Sequence, residues 1–309
     1  MKTTPITPAD LRASVISVPP LCRNADGSAN TEANRQLLAH LRAGKVTTYM
    51  YGGNANFYNL GVAELGRTLD GLQPLLADGD WLIPSVGADY GKAAEQIDLL
   101  RERAYPTAMV LPLRFPASPK GVAQGIAKLA ARYGKPVIAY VKDEGYVDNA
   151  DVAALMKDGA VCAVKYAVVR KDAKQDPVLA DLVQRIGTDR IISGIGERPV
   201  IDHFRAFGLR AFTSGSTCVA PALSNRIREA LLANDDASAA ATRELFMPLE
   251  DARDAYSPIR ILHAAVACAG IAATGPIGEF LGVIDDPKVL EELTRISREL
   301  LALNQAALK

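Results

Sequence analysis

Short apolar segments rich in β-branched and aromatic residues recur along the 309-residue chain, and polar or glycine-containing turns follow them. Apolar runs of this length, bounded by turn residues, are typical of buried strands. We predict eight strands, at residues 14–19, 46–51, 81–86, 107–111, 136–141, 160–165, 190–194 and 211–214.

Helical patterns occupy most of the gaps between these strands. In one helix Ser118 is a capping residue, Pro119 suits the first position and Gly134 suits the end. A second helix is predicted from residue 59, with apolar side chains on one face as far as residue 76. A third begins at 198–199 and ends before Gly208. Alternating strands and helices predict parallel strands joined by right-handed crossovers.

Eight such units within about 215 residues fit a closed (β/α)8 TIM barrel, which typically needs roughly 200–250 residues. An open doubly wound sheet normally has a glycine-rich phosphate turn after its first strand, whereas here Pro19-Pro20-Leu21-Cys22 follows. We therefore predict a barrel with the active site in residues 1–222. Residues 223–309 are expected to form three or four amphipathic helices packed on the barrel or on a neighbouring subunit.

Composition narrows the classes of function. The chain has 35 basic and 35 acidic residues, so no net positive field favours nucleic acid or an anionic membrane. No apolar run approaches the ~18 residues of a membrane span, and the N-terminus lacks the apolar stretch of a secretory signal. We expect a cytoplasmic protein whose partner is a small molecule.

In a barrel the active site lies at the carboxyl ends of the strands. These ends hold no histidine or cysteine, which argues against a zinc or di-metal hydrolase. A magnesium site would need more carboxylates than Asp143, Glu144 and Glu197 offer. We therefore predict neither a metal nor a cofactor.

Lys165 ends an apolar strand and is soon followed by a second apolar run. A lysine in such surroundings loses hydration, its pKa falls, and the neutral amine becomes a nucleophile toward carbonyls. The structural alternative is a lysine that extends its ammonium to solvent. Tyr140 is a candidate proton carrier. The structural alternative is an aromatic side chain at the rim of the barrel. The backbone N–H groups of the Gly52-Gly53-Asn54 turn are suited to bind a carboxylate. The structural alternative is that the two glycines only allow a tight turn.

Taken together, the strand ends resemble the dihydrodipicolinate synthase / N-acetylneuraminate lyase family of class I, Schiff-base aldolases, over nearly the whole chain. The segments that carry this resemblance are Pro19-Pro20, Gly52-Gly53-Asn54-Ala55-Asn56, Leu111-Pro112-Leu113-Arg114-Phe115, Ile138-Ala139-Tyr140, Val164-Lys165 and Ser193-Gly194. The resemblance implies that Lys165 forms the imine and that Tyr140 relays protons. It also implies that Gly52, Gly53, Asn54 and Gly194 bind the substrate, and that the protein is a homo-oligomer, a tetramer or a dimer.

The departures from the family pattern concern the substrate. Gly53 and Asn54 replace two threonines of the family turn, and Arg114 replaces the tyrosine that a neighbouring subunit contributes in the synthases. The arginine that follows the catalytic tyrosine in the synthases is missing, and Lys142 lies in that region. The resemblance is therefore closer to the sugar-acid aldolases and dehydratases, with Arg114 and Lys142 as candidates to bind a second carboxylate or a polyhydroxy chain.

The sequence thus predicts a lyase, an aldolase or a dehydratase, acting on a 2-oxo acid or 2-oxo sugar acid through an imine at Lys165. Two alternatives remain. One is a sugar-phosphate class I aldolase that holds phosphate in the loops 194–197 and 214–216. The other is a catalytically silent barrel that binds a 2-oxo acid as a sensor or scaffold.

Overall fold

Eight parallel strands form a closed barrel in sequential order in the computed structural model, which describes all 309 residues. The strands are β1 Ile16–Ser17, β2 Thr48–Tyr51, β3 Trp81–Val86, β4 Met109–Val110, β5 Val137–Val141, β6 Val161–Tyr166, β7 Ile191–Ser193 and β8 Ala211–Ser214. The predicted TIM barrel and all eight predicted strand positions are confirmed. Several strands are shorter than predicted because pairing with the neighbour covers few residues: β1 pairs with β2 only at Ile16 and Ser17.

Thirteen α-helices accompany the strands. They are α1 Pro8–Leu11, α2 Thr31–Ala43, α3 Val62–Leu72, α4 Tyr90–Arg101, α5 Pro119–Tyr133, α6 Asn149–Lys157, α7 Pro177–Ile186, α8 Val200–Phe207, α9 Pro221–Leu232, α10 Asp236–Glu244, α11 Met247–Ala255, α12 Pro258–Cys268 and α13 Pro287–Ala307. No helix is long and apolar enough to span a bilayer.

The helical extension after β8 is confirmed, but it contains five α-helices rather than the three or four predicted. Proline explains part of the difference. Pro248 and Pro258 lie in the first turns of α11 and α12. A proline is tolerated there because the first amides of a helix have no acceptor within it. Each proline therefore accompanies the start of a separate helix.

Local end signals account for the bounds of α5. The Ser118 hydroxyl accepts a hydrogen bond from the N–H of Gly121, and Gly134 ends α5 in the left-handed conformation at φ 69°. The helix predicted from residue 59 is shorter than expected. It runs from Val62 to Leu72 and is flanked by two 3-10 turns, Phe57–Asn59 and Gln73–Leu75.

Internal contacts divide the chain into two compact units. One comprises Ser14–Leu82 with Ser214–Lys309, and the other comprises Lys2–Ala13 with Ile83–Thr213. The second unit contains β4 to β7 and carries both Tyr140 and Lys165. The boundary expected at residues 222/223 falls inside α9.

Candidate active site

Lys165 lies on β6, a strand whose six residues are all buried, and only 4% of its surface is exposed. The register of β5 and β6 places Tyr140 directly beside it. The Lys165 Nζ lies 4.4 Å from the centroid of the Tyr140 ring, within the range of a cation–π contact. The fold thus brings together the two residues that the sequence predicts as catalytic.

The environment of Lys165 disfavours its charged form. Burial, and then the positive charge of Lys142, lower the pKa of Lys165 to about 7. Lys142 follows Tyr140 by two residues and lies just beyond the end of β5. A large share of the Lys165 side chain is therefore an uncharged amine near neutral pH, which is the nucleophilic form.

Tyr140 keeps part of its side chain accessible at the end of β5. Desolvation, and then the negative charge of Asp143, raise the pKa of its phenol above the ordinary value. The phenol is therefore protonated at neutral pH. In that form it is able to donate a proton to a nearby oxygen and to accept one back in a later step.

Gly194 follows β7 and packs closely against the segment that carries Lys165. Its N–H donates to the carbonyl oxygen of Tyr166 at 2.7 Å. A Cβ at this position would lie 2.7 Å from that same oxygen and 3.0 Å from the Cγ of Lys165. The overlap with the backbone oxygen of Tyr166 means that this close approach requires glycine. The substrate contact predicted for Gly194 stays a prediction.

Arg114 forms a two-point ion pair with Asp143. Its Nε donates to one carboxylate oxygen of Asp143 at 2.9 Å, and its Nη2 donates to the other. The arginine side chain is 79% exposed. Its guanidinium is therefore already engaged by a carboxylate of its own chain, and a substrate role for Arg114 stays a prediction.

A buried cluster around Asp176 was missed by the sequence analysis. Asp176 accepts a hydrogen bond from the Tyr166 hydroxyl at 2.7 Å and one from Arg170 at 3.0 Å, and it also caps α7. Arg170 pairs in addition with Glu144 at 2.6 Å. Burial alone would raise the pKa of Asp176, but these hydrogen bonds, that of Arg170 foremost, lower it below the ordinary value. The cluster anchors the segment immediately after Lys165.

The Gly52-Gly53-Asn54 turn belongs to the other compact unit, where it follows β2. Residues Gly53–Ala55 form a 3-10 turn, and the backbone N–H groups of Gly53 and Asn54 donate to no acceptor in the chain. The side-chain amide of Asn54 donates to the carbonyl oxygen of Val18 at 3.0 Å. The side chain thus fixes the turn, and its two free backbone donors remain candidates to bind a carboxylate.

No group of three or more histidine, cysteine, aspartate or glutamate side chains is gathered in a metal-binding arrangement.

No protein-family model matches the chain, and no curated protein matches it in sequence. Solved structures, by contrast, match over nearly its full length.

Dihydrodipicolinate synthase from Bacillus clausii has 20% identity and a TM-score of 0.79, with 96% of this chain and 99% of that chain covered. N-acetylneuraminate lyase from Mycoplasma synoviae has 15% identity and a TM-score of 0.78, with 95% and 99% covered. A catalytic-lysine mutant of the Ruminococcus gnavus sialic acid aldolase has 14% identity and a TM-score of 0.81, with 95% and 98% covered.

The chain has the fold of dihydrodipicolinate synthase and N-acetylneuraminate lyase. This likeness confirms, for the fold, the resemblance that the strand-end segments indicate. At identities of 20% and below in these three structures, the reaction has to be argued from the side chains of this protein.

Proposed function

We propose that the protein is a class I lyase, an aldolase or a dehydratase, that forms an imine between Lys165 and the carbonyl carbon of a 2-oxo acid or 2-oxo sugar acid. The observation that carries the proposal is the buried Lys165, whose pKa is lowered to about 7 beside the ring of Tyr140. The fold supports it too, since one structure of this fold is a sialic acid aldolase with its catalytic lysine mutated.

The neutral amine of Lys165 attacks the C2 carbonyl of the substrate and gives a carbinolamine. Loss of water from that adduct gives a protonated imine. The imine then draws electrons from the adjacent carbon, so that an enamine forms when a bond beyond C3 breaks or a proton leaves C3. In cleavage, the C3–C4 bond of the protonated imine breaks and its electron pair forms the enamine. In dehydration, loss of the C3 proton forms the enamine, which then expels the C4 hydroxyl as water once that oxygen is protonated. Aldolase and dehydratase chemistry therefore share the imine and one site.

Tyr140 is the proton carrier in this scheme. Its phenol is protonated at neutral pH and lies beside the reacting amine. It therefore supplies the proton that lets the carbinolamine oxygen leave as water, and it takes a proton from the substrate in the later step. We further propose that the backbone N–H groups of Gly53 and Asn54 bind a carboxylate. Their lack of an acceptor within the chain supports this role.

Reduction with borohydride in the presence of a panel of 2-oxo acids tests the proposal. Pyruvate or a longer 2-oxo acid should add its reduced mass to the peptide that contains Lys165, and Lys165→Ala should abolish the addition. Labelling at Lys142 instead would overturn the assignment of the nucleophile. A reducible adduct with no turnover of any substrate would favour the silent, sensor-like alternative.

A further inference from the structure

Asn56 ends the turn whose free backbone donors are candidates to bind a carboxylate. It adopts the left-handed conformation at φ 56°, between the 3-10 turns Gly53–Ala55 and Phe57–Asn59. Asparagine is one of the few residues other than glycine that visit this conformation readily. Its N–H donates to the carbonyl oxygen of Gly53 at 2.9 Å. The conformation of Asn56 therefore helps to fix that of the Gly53–Ala55 turn.

The side-chain amide of Asn56 binds a loop of the C-terminal helical extension, the 274–283 loop between α12 and α13. Its Nδ2 donates to the carbonyl oxygens of Ile277 and Glu279, at 3.1 Å each. Its Oδ1 accepts a hydrogen bond from Asn59 at 2.8 Å. Only 2% of the surface of Asn56 is exposed. Moving the loop away would thus leave a buried amide without its partners, which is costly.

Arg23 makes a second connection between the 274–283 loop and the turn. Its backbone N–H donates to the carbonyl oxygen of Thr274 at 2.9 Å, and its Nη2 donates to that of Ala55 at 3.5 Å. Gly275 approaches so closely that a Cβ there would lie 2.1 Å from the carbonyl oxygen of Arg23. The loop and the turn belong to the same compact unit. Two separate sets of hydrogen bonds therefore join the C-terminal extension to this turn.

We infer that Asn56 is a positioning residue, through which the 274–283 loop holds the turn in the conformation that leaves the N–H groups of Gly53 and Asn54 free to bind a carboxylate. The inference rests on the proposed function and gives the C-terminal extension a role in substrate affinity. Asn56 touches no reacting atom in this role. Its amide keeps the two donors in a fixed direction before the carboxylate arrives, and a preorganised site binds more tightly than one that has to be ordered on binding.

Pyruvate and pyruvamide provide the test, because they share one carbon skeleton and only pyruvate carries a carboxylate. The half-saturating concentration of each is measured from the initial rate of cyanoborohydride trapping at Lys165, followed by intact mass. Hydrogen bonds to a charged group raise affinity by on the order of tenfold or more, so the wild type should favour pyruvate by about this factor. The ratio of the two values removes any change in the Lys165 amine that affects both compounds equally.

Asn56→Gly removes the side-chain amide and keeps the left-handed conformation accessible. The preference for pyruvate should fall by on the order of tenfold, with little change for pyruvamide. Gly278→Ala perturbs the same contact from the loop, because a Cβ there, at φ 94°, would lie 3.0 Å from the Nδ2 of Asn56. It should lower the preference in the same direction. Gly282→Ala, where a Cβ in the same loop meets open space, is the matched control and should keep the wild-type ratio.

A wild-type ratio in Asn56→Gly would overturn the inference. A lower midpoint of unfolding together with an unchanged ratio would do the same, since that result is expected of an asparagine with a structural role alone. Equal weakening of both compounds would also count against a role in binding the carboxylate.

The proposed function fails by a different result. If neither compound gives a reducible adduct at Lys165 in the wild type, the imine chemistry itself is wrong, and the inference falls with it. If both compounds are trapped with equal half-saturation in the wild type, the imine chemistry stands and only the role of the turn and of Asn56 is lost.

Discussion

Replacing Lys165 with methionine separates the cost of burying the amine from the packing of the side chain. Methionine is also unbranched and flexible, but it carries no charge at any pH. Lys165→Met should abolish imine trapping and, at neutral and acidic pH, should make the folded protein more stable than the wild type. A buried side chain that lowers the stability of the folded protein is expected to serve a reaction rather than the packing of the core.

The size of the effect follows from the two pKa values. Lys165 has a pKa of about 7 in the folded protein against 10.5 for an ordinary lysine. Between these values the unfolded chain binds a proton that the folded chain lacks, so the stability of the wild type rises with pH across this window. Below about pH 7 Lys165 is protonated in the folded and in the unfolded chain, and the full cost of burying its charge lowers the stability of the wild type. A difference of about 3.5 in pKa, at about 1.4 kcal/mol each, gives an upper bound of about 5 kcal/mol.

Guanidinium unfolding of the wild type and of Lys165→Met at pH 6, 8 and 10 measures the difference in the free energy of unfolding. All samples have the same protein concentration, because association also affects apparent stability. The advantage of Lys165→Met should fall by about 1.4 kcal/mol for each pH unit above 7 and reach less than about 1 kcal/mol by pH 10. Lys157→Met, at an exposed lysine, is the control for the change of side chain and should show no such dependence. If the difference in unfolding free energy between Lys165→Met and the wild type stays constant with pH, or if the wild type is the more stable protein at pH 6, the reasoning is refuted.

Three further predictions concern the same site. Tyr140→Phe should lower kcat by on the order of 10²–10⁴ in steady-state assays with little change in substrate affinity, and near-normal turnover would point to another proton carrier. Gly194→Ala should cost about 1–3 kcal/mol in unfolding experiments and reduce trapping at Lys165, because its Cβ would overlap the Tyr166 carbonyl oxygen at 2.7 Å. Gly71→Ala, where the same atom meets open space, should cost nothing. Turnover should survive dialysis against EDTA, and a loss restored by zinc or magnesium would contradict the imine chemistry.

The barrel was predictable because it depends on local patterns repeated many times. Each strand is a short apolar run and each long helix has an amphipathic face, so errors of a few residues at the ends leave the order of elements unchanged. The location of Lys165 near the end of β6 was predictable for a related reason, since a charged residue that ends an apolar run stands out in the sequence. The turn at Ser118–Pro119 likewise marks the start of α5 by itself.

The pairing of charged side chains was not predictable in this way. Arg114 and Asp143 lie 29 positions apart, and no spacing rule connects a loop after one strand with a loop after the next. The ion pair of Arg170 with Glu144 likewise joins the loop after β6 to the loop after β5. The sequence analysis therefore identified Arg114 and Lys142 after the strands, but neither Arg170 nor the carboxylate that pairs with Arg114.

The confinement of Lys165 has a consequence for the entropy of the reaction. A free lysine side chain samples many rotamers, and fixing one costs up to about 2 kcal/mol. Here the side chain passes close to the Gly194 backbone, with its amine held 4.4 Å from the centre of the Tyr140 ring, before any substrate arrives. The loss of rotational freedom thus occurs when the chain folds, before the proposed imine would form. In the proposed reaction, such an amine would meet a bound carbonyl at a higher effective molarity than a mobile lysine provides.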